Sequence, residues 1–222
     1  AGNTTGGFTM KLFRNIMTAA SLMMLIIALS VTITLNFRPL YYFDIGHLNI
    51  AETSGVDAKT IKKNYDILID YNSMFNNDTL EFPDFAMSEH GRIHFEEVKA
   101  IFVGIQCIGI AAFILSAVLI FINIKKKDRL YLKFTAIFTI VIPAALGIFI
   151  AANWKKAFVT FHHIFFSNDY WIFNPSEDAI ITVLPDTFFM HCAIMILALV
   201  ILGSAICAVC YIASGRRNKK TL

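Results

Sequence analysis

The sequence predicts an all-α integral membrane protein with four transmembrane helices and a small extracellular cap. Three observations carry that expectation. Of 222 residues, 57% are hydrophobic and 16% charged, more apolar and less charged than a soluble domain. Four stretches, residues 15–37, 100–124, 134–154 and 187–214, hold no Asp, Glu, Lys or Arg, and each reaches the roughly 20 residues that cross a hydrocarbon core. The basic residues gather at alternate ends of these stretches: Lys11 and Arg14, then Lys125, Lys126, Lys127, Arg129 and Lys133, then Arg216, Arg217, Lys219 and Lys220. Basic flanks mark the cytoplasmic side, so both termini are expected there. The net charge of +3 is then a signal of topology, not of nucleic-acid binding.

In chain order, residues 1–9 are rich in Gly and Thr and read as an addition ahead of Met10. The first span, 10–37, has too long an apolar run for a cleaved secretory signal. Residues 38–99 form the extracellular cap and an interfacial helix. Leu40-Tyr41-Tyr42-Phe43 leaves the membrane as an aromatic belt does, and Ser54-Gly55-Val56-Asp57 reads as a capping box. The box opens a helix with Ile61, Tyr65, Leu68 and Ile69 on one face, ending near Tyr71. Ser88 is expected to cap a second helix that runs unbroken into the second span, 100–124, with His94 at headgroup depth. A cytoplasmic loop, 125–133, leads to the third span, 134–154. Residues 155–186 form an extracellular aromatic-rich segment, and the fourth span, 187–214, ends in the basic tail 215–222.

All four cysteines, Cys107, Cys192, Cys207 and Cys210, fall within spans, so the extracellular segments carry no disulfide framework. The Cys207–Cys210 spacing lies in an apolar helix without polar neighbours and reads as packing. Apart from cysteine and tyrosine, the only ionisable group within a span is His191, which speaks against an ion path or proton relay. No internal repeat suggests a transporter built from paired halves.

Reactive groups collect instead near the extracellular interface: Glu89, His90, Arg92, His94, Glu96 and Glu97 in one segment, His162, His163, Asn168 and Asp169 in another. Histidine titrates near neutrality and exchanges protons in both directions, so two histidines from separate segments suit acid–base work; the alternative is a set of solvated interfacial groups. His90, His94 and Glu97 could supply metal ligands on one helix face, but Gly91 stands where an HExxH motif has Glu. No GxSxG elbow is present, and no covalent nucleophile is indicated.

Two blocks are more specific. The stretch Ser88-Glu89-His90-Gly91-Arg92-Ile93-His94-Phe95-Glu96-Glu97-Val98-Lys99 resembles the first signature of the lipoprotein intramolecular transacylases. The stretch from Phe161-His162-His163-Ile164-Phe165-Phe166 through Asn168-Asp169-Tyr170-Trp171, with Asn174-Pro175 and Leu184-Pro185-Asp186-Thr187-Phe188-Phe189, resembles that family's block between its third and fourth spans. The resemblance covers nearly the whole chain from Met10.

It implies a bacterial plasma-membrane enzyme, acting without metal or soluble cofactor on diacylated lipoproteins. Such an enzyme moves the sn-2 acyl chain of the S-diacylglyceryl cysteine to that cysteine's own α-amino group. It places the family histidines on His94 and His162, His94 expected as the base and His162 as the acid or the two exchanged, with His163 at a variable position and an alternative for the second role, and an acidic residue at Glu97. Arg92 or Asn168 is expected to hold the ester carbonyl oxygen as charge develops, with Asp169 in support. Tyr42, Phe161, Phe165, Phe166, Trp171 and Phe173 are expected either to line a substrate pocket or to form a membrane belt. The rival readings are an interfacial metallohydrolase and a non-enzymatic membrane receptor or scaffold.

Overall fold

The structure is a computed structural model that describes residues 3–219; residues 1–2 and 220–222, the end of the basic tail, lie outside the described residues. Among the described residues the chain is helical and carries no strand. The order is α1 (Asn3–Asn36), α2 (Arg38–His47), α3 (Ile50–Ser54), α4 (Ala58–Tyr71), α5 (Glu89–Lys125), α6 (Leu130–Ala152), α7 (Trp154–Phe165), a 3₁₀ turn (Ala179–Val183) and α8 (Asp186–Lys219). Four segments are long and apolar enough to cross a membrane: Gly7–Asn36, Glu89–Lys125, Leu130–Ala152 and Asp186–Ser214. Helix α1 is already formed at Asn3, inside the segment read as an addition.

Ser88 begins α5 as expected, its carbonyl accepting from Arg92 N–H and its hydroxyl from Gly91 N–H, and 37 residues follow without a break. The start of α4 differs from the expectation. Ser54 closes α3, Gly55 ends it in the left-handed conformation with φ 70°, and Asp57 is the true N-cap of α4, accepting from the N–H groups of Lys59 and Thr60. The SxxD pattern belonged to two helices. Glycine tolerates positive φ at little cost, which is why the first can stop there.

The described chain divides into two compact units. The first comprises α1 through Val31, residues Cys107–Ile148 and the chain from Ile196 onward. Its helices meet through small residues and polar pairs, as apolar spans must when lipid tails are as apolar as leucine. A Cβ on Gly109 would stand 3.2 Å from Ala28 Cβ, and one on Gly203 would stand 2.6 Å from Ile26 Cγ2. Arg14 Nε–H donates to Asn123 and its terminal nitrogen to Asp128, at 2.8 and 2.9 Å. Asn15 donates to Asp128 and accepts from Tyr131 N–H, Asn123 donates to Thr18, and Ser21 and Ser116 share a hydrogen bond of 2.8 Å.

The second unit, Thr32–Gln106 with Phe149–Met195, is built on a buried apolar cluster from α2, α4, the start of α5, the 3₁₀ turn and the start of α8. At its centre Tyr41 stacks on Tyr65 with ring centres 3.9 Å apart, and Phe188 packs edge-on to both. The Tyr41 hydroxyl donates to Val183 O at 2.5 Å, satisfying a polar group that burial would otherwise strand. Burial also pushes the Tyr41 and Tyr65 hydroxyls well above their ordinary range. Each buried large side chain contributes about 1.5–3 kcal/mol, so this cluster is a rigid base for the residues that follow.

Candidate active site

Helix α5 brings His94 inward two turns past its cap, and the last turn of α7 brings His162. Both imidazoles are buried, at 6% and 9% exposure, and their ring centres lie 6.1 Å apart. Aromatic rings enclose the pair. His94 meets Phe166 and Phe173 edge-on at 4.7 and 5.4 Å, and His162 lies 4.3 Å from Phe158 and 4.5 Å from Trp171.

His162 Nδ1 pairs with the carbonyl of Phe158, one helical turn back, at 2.8 Å. A carbonyl accepts only, so Nδ1 carries the hydrogen and the neutral ring presents its Nε2 lone pair. Burial holds the His162 pKa below the usual imidazole value, and the neighbouring His163 lowers it further, against the Phe158 carbonyl, which favours charge. His94 Nδ1 is buried and has no hydrogen-bond partner.

Of the other buried atoms without a partner, two lie close to the histidine pair in the chain or against its rings. Asn168 donates to Glu97 Oε1 at 2.8 Å, leaving Oε2 buried and unpaired. The indole N–H of Trp171, whose ring packs on His162, is likewise buried and unpaired. Unmet polar groups are rare in interiors, and here an imidazole nitrogen, an indole donor and a carboxylate oxygen occur within two segments. Glu97 lines a cavity of about 420 Å³ together with His163, Phe165, Phe166 and Ser167. His163 itself is exposed and edge-on to Trp171 at 5.5 Å.

The two segments are held together by Asp178. Its carboxylate accepts from the N–H and hydroxyl of Ser88, at 2.7 and 2.9 Å. Gly91 makes room for it: a Cβ there would fall 2.2 Å from Asp178 Oδ1 and 3.2 Å from Phe173.

Other residues singled out in the sequence are engaged differently. Arg92 is ion-paired along its own helix with Glu89 and Glu96, and Glu89 first, then Glu96, raises its pKa. Asn168 is committed to Glu97 and to Tyr170 N–H, and Asp169 is exposed with its carbonyl in a turn to Ile172. Tyr42 stands on α2 against α4, its hydroxyl on Asp66 at 2.6 Å. Phe161 and Phe165 pair with each other at 4.6 Å and are half exposed; Phe161 lies outside the lining of the Glu97 cavity, as a belt residue does, whereas Phe165 is one of its walls. His90 stacks on Tyr170. Among the described residues no three His, Cys, Asp or Glu side chains converge as a metal site would require.

In the sequence Trp171 reads only as one aromatic ring among several, and nothing singles out Asp178. A tryptophan has one donor and no acceptor, so its need for a partner was readable; that it would find none was not. Asp178 lies 90 residues from Ser88, and nothing local signals that pairing.

The fold is that of a membrane-integral acyltransferase. The chain superposes with a TM-score of 0.94 on the membrane integral lipoprotein intramolecular transacylase Lit from Bacillus cereus, at 38% identity, covering 96% of this chain and 99% of that one. Two variants of the Bacillus cereus protein, with one histidine replaced by arginine or by alanine, match at 37% identity and a TM-score of 0.90, covering 100% of both chains and 98% and 99% respectively. No curated protein matches in sequence. Residues 16–189 match the lipoprotein intramolecular transacylase Lit family, and the chain belongs to that family.

Proposed function

We propose that this enzyme moves the sn-2 acyl chain of an S-diacylglyceryl N-terminal cysteine to the α-amino group of the same cysteine, leaving an N-acyl, S-monoacylglyceryl lipoprotein. The observation that carries this reading is the buried His94–His162 pair, 6.1 Å between ring centres. The rest of the reading follows from what the reaction needs. Nitrogen attacks the ester carbonyl, the C–N bond forms and the C–O bond to glycerol breaks. An α-amino group has a pKa of about 7.7–8.0, so it arrives largely as an ammonium and sheds two protons on becoming an amide. One proton goes to the departing sn-2 oxygen and the other to solvent. Two imidazoles suit this division: one passes the ammonium proton to the leaving oxygen, and the other takes the proton that nitrogen loses on attack.

The fixed Nε2 lone pair of His162 suits it to the attacking nitrogen, and His94 then serves the departing oxygen. The unpaired Glu97 Oε2 is suited to hold the ammonium, and the unpaired Trp171 N–H to hold the carbonyl oxygen as it gains charge. Amine and ester share one molecule, so ordering them supplies a very large effective molarity, and no covalent nucleophile is required. The basic flanks support a plasma-membrane enzyme with both termini cytoplasmic and this site at the extracellular interface.

The test is a lipopeptide carrying a labelled sn-2 chain, incubated with pure enzyme in unlabelled phospholipid. The expected product keeps the label, now in amide linkage by tandem mass spectrometry. An amide-linked chain drawn from the phospholipid would overturn the intramolecular reading.

A further inference from the structure

A second titratable cluster shares no residue with the histidine pair. It lies where α2 meets the start of α8. Asp44 is wholly buried, and its carboxylate is met by Nδ1 of a single ring, His191, at 2.9 and 2.8 Å to the two oxygens. Donation to the carboxylate puts a hydrogen on Nδ1, and in the neutral form of the ring that leaves Nε2 as an acceptor. His47, stacked on Phe43, is the next ring, 6.0 Å from His191. Asp44, His47 and His191 line a cavity of about 370 Å³ whose other walls are Leu40, Phe43, Ile194 and Met195. That volume is in the range of small-molecule sites.

The cluster lacks a permanent cation. A lone buried carboxylate costs several kcal/mol unless a positive charge compensates it, and the lining holds neither Lys nor Arg. The other titratable groups facing Asp44 are Tyr41 and Cys192, neither of which can be cationic. The wall beside it is apolar and open: Phe43 is 63% and Ile194 51% exposed. Ile194 belongs to a segment long and apolar enough to cross a membrane, and Phe43 stands in the aromatic stretch that leaves the membrane.

We propose that this cavity is a lipid-binding site for a primary ammonium headgroup, which donates to His191 Nε2 with Asp44 behind it supplying the opposite charge. The attached chain runs along Phe43, Ile194 and Met195. A phosphate in that position would add a second negative charge beside Asp44, so the ammonium is the end that enters. The open apolar wall identifies the source as an aminophospholipid of the surrounding bilayer.

Native mass spectrometry of the purified protein, with equal concentrations of phosphatidylethanolamine, phosphatidylcholine and phosphatidylglycerol, tests this directly. Phosphatidylethanolamine should be retained about tenfold over the other two, the gain of one charge-assisted hydrogen bond. His191→Gln and Asp44→Asn should abolish the preference. Because Asp44→Asn disturbs a buried pair, Ile194→Trp provides an independent check: it fills the cavity from its exposed wall and should lower retention of phosphatidylethanolamine. Equal retention of phosphatidylethanolamine and phosphatidylcholine, whose headgroup cannot donate, or a preference that survives His191→Gln, would overturn the proposal. A diacylglyceryl-cysteine lipopeptide should not displace the phospholipid at equal concentration; displacement would make the cavity a substrate subsite and remove the bilayer source. No turnover is needed, so the result stands apart from the transacylase reading.

Discussion

Asp178 closes on Ser88 through two hydrogen bonds, one to its backbone N–H and one to its hydroxyl. That contact ties the segment carrying Trp171 and Phe173 to the first turn of the helix carrying His94. Gly91→Ala would drive a methyl group into the Asp178 carboxylate, a steric change that costs about 1–3 kcal/mol. We expect a lowered unfolding temperature and a fall in kcat that Asp178→Ala partly reverses in the double variant by making room. A Gly91→Ala protein with normal kcat would show that this clasp does not position the site.

The histidine pair should behave as a unit. His94→Ala and His162→Ala are each expected to lower activity by about 10²–10⁴-fold, and the double change to cost little more than either, since coupled groups are not additive. His163→Ala is the control one residue away: near-complete loss there, with an active His162→Ala, would move the second role to the exposed ring. His191→Ala should be mild in the same assay. Full activity in correctly folded His94→Ala would leave confinement alone to carry the reaction.

Trp171→Phe keeps an aromatic ring against His162 and removes only the N–H. Loss of one donor to a developing oxyanion lowers kcat by about 10²–10³-fold, with KM little changed. A rise in KM at constant kcat would reduce Trp171 to a packing residue. Glu97→Gln should show the opposite division, weakening substrate binding by removing the charge opposite the ammonium.

Burial lowers the His162 pKa, so the folded ring stays neutral at pH values where an ordinary imidazole, near 6.5, is half charged. The acidic limb of kcat/KM governed by this base should therefore fall below that value, and His163→Gln should shift it upward by removing the neighbour that lowers the His162 pKa. The linkage to stability has the same sign. Between the folded and ordinary values the unfolded chain binds more protons, so the contribution is complete above the ordinary imidazole range and declines as pH falls through it. A limb unmoved by His163→Gln would separate the kinetic base from His162.

The orientation is tested at Asp78, an exposed residue between α4 and α5. A cysteine introduced there should react with a membrane-impermeant reagent in intact cells. Labelling that appears only after lysis would put the histidine pair on the cytoplasmic side.

Much of the architecture was legible because its causes are local. Four uncharged apolar runs appear as four helices able to cross a membrane, and Ser88 opens α5 where its side chain can reach Gly91 N–H. The misread helix start at Ser54 has a local cause too: a capping box requires its serine and acid on one helix, and Gly55 ended the first helix between them. The two histidine motifs were readable as a resemblance, but not their distance. The Asp44–His191 pair spans 147 residues, and Asp44 lies in a stretch that reads as an aromatic belt, so only the fold reveals its partner.

The polar contacts of α1 set a time order on assembly. Arg14, Asn15, Thr18 and Ser21 find their partners between Ser116 and Tyr131, 95 to 116 residues later in the chain. At about 5–20 residues per second, the first helix is synthesised some 5 to 20 seconds before those partners exist. During that interval Asn15, Thr18 and Ser21 can bond only to carbonyls of their own helix, those of Lys11, Arg14 and Thr18, and the Arg14 guanidinium waits for both of its later acceptors. Substitutions at Asn123 or Asp128 should then show first as rapid degradation of newly made chains, before any change in the activity of those that survive.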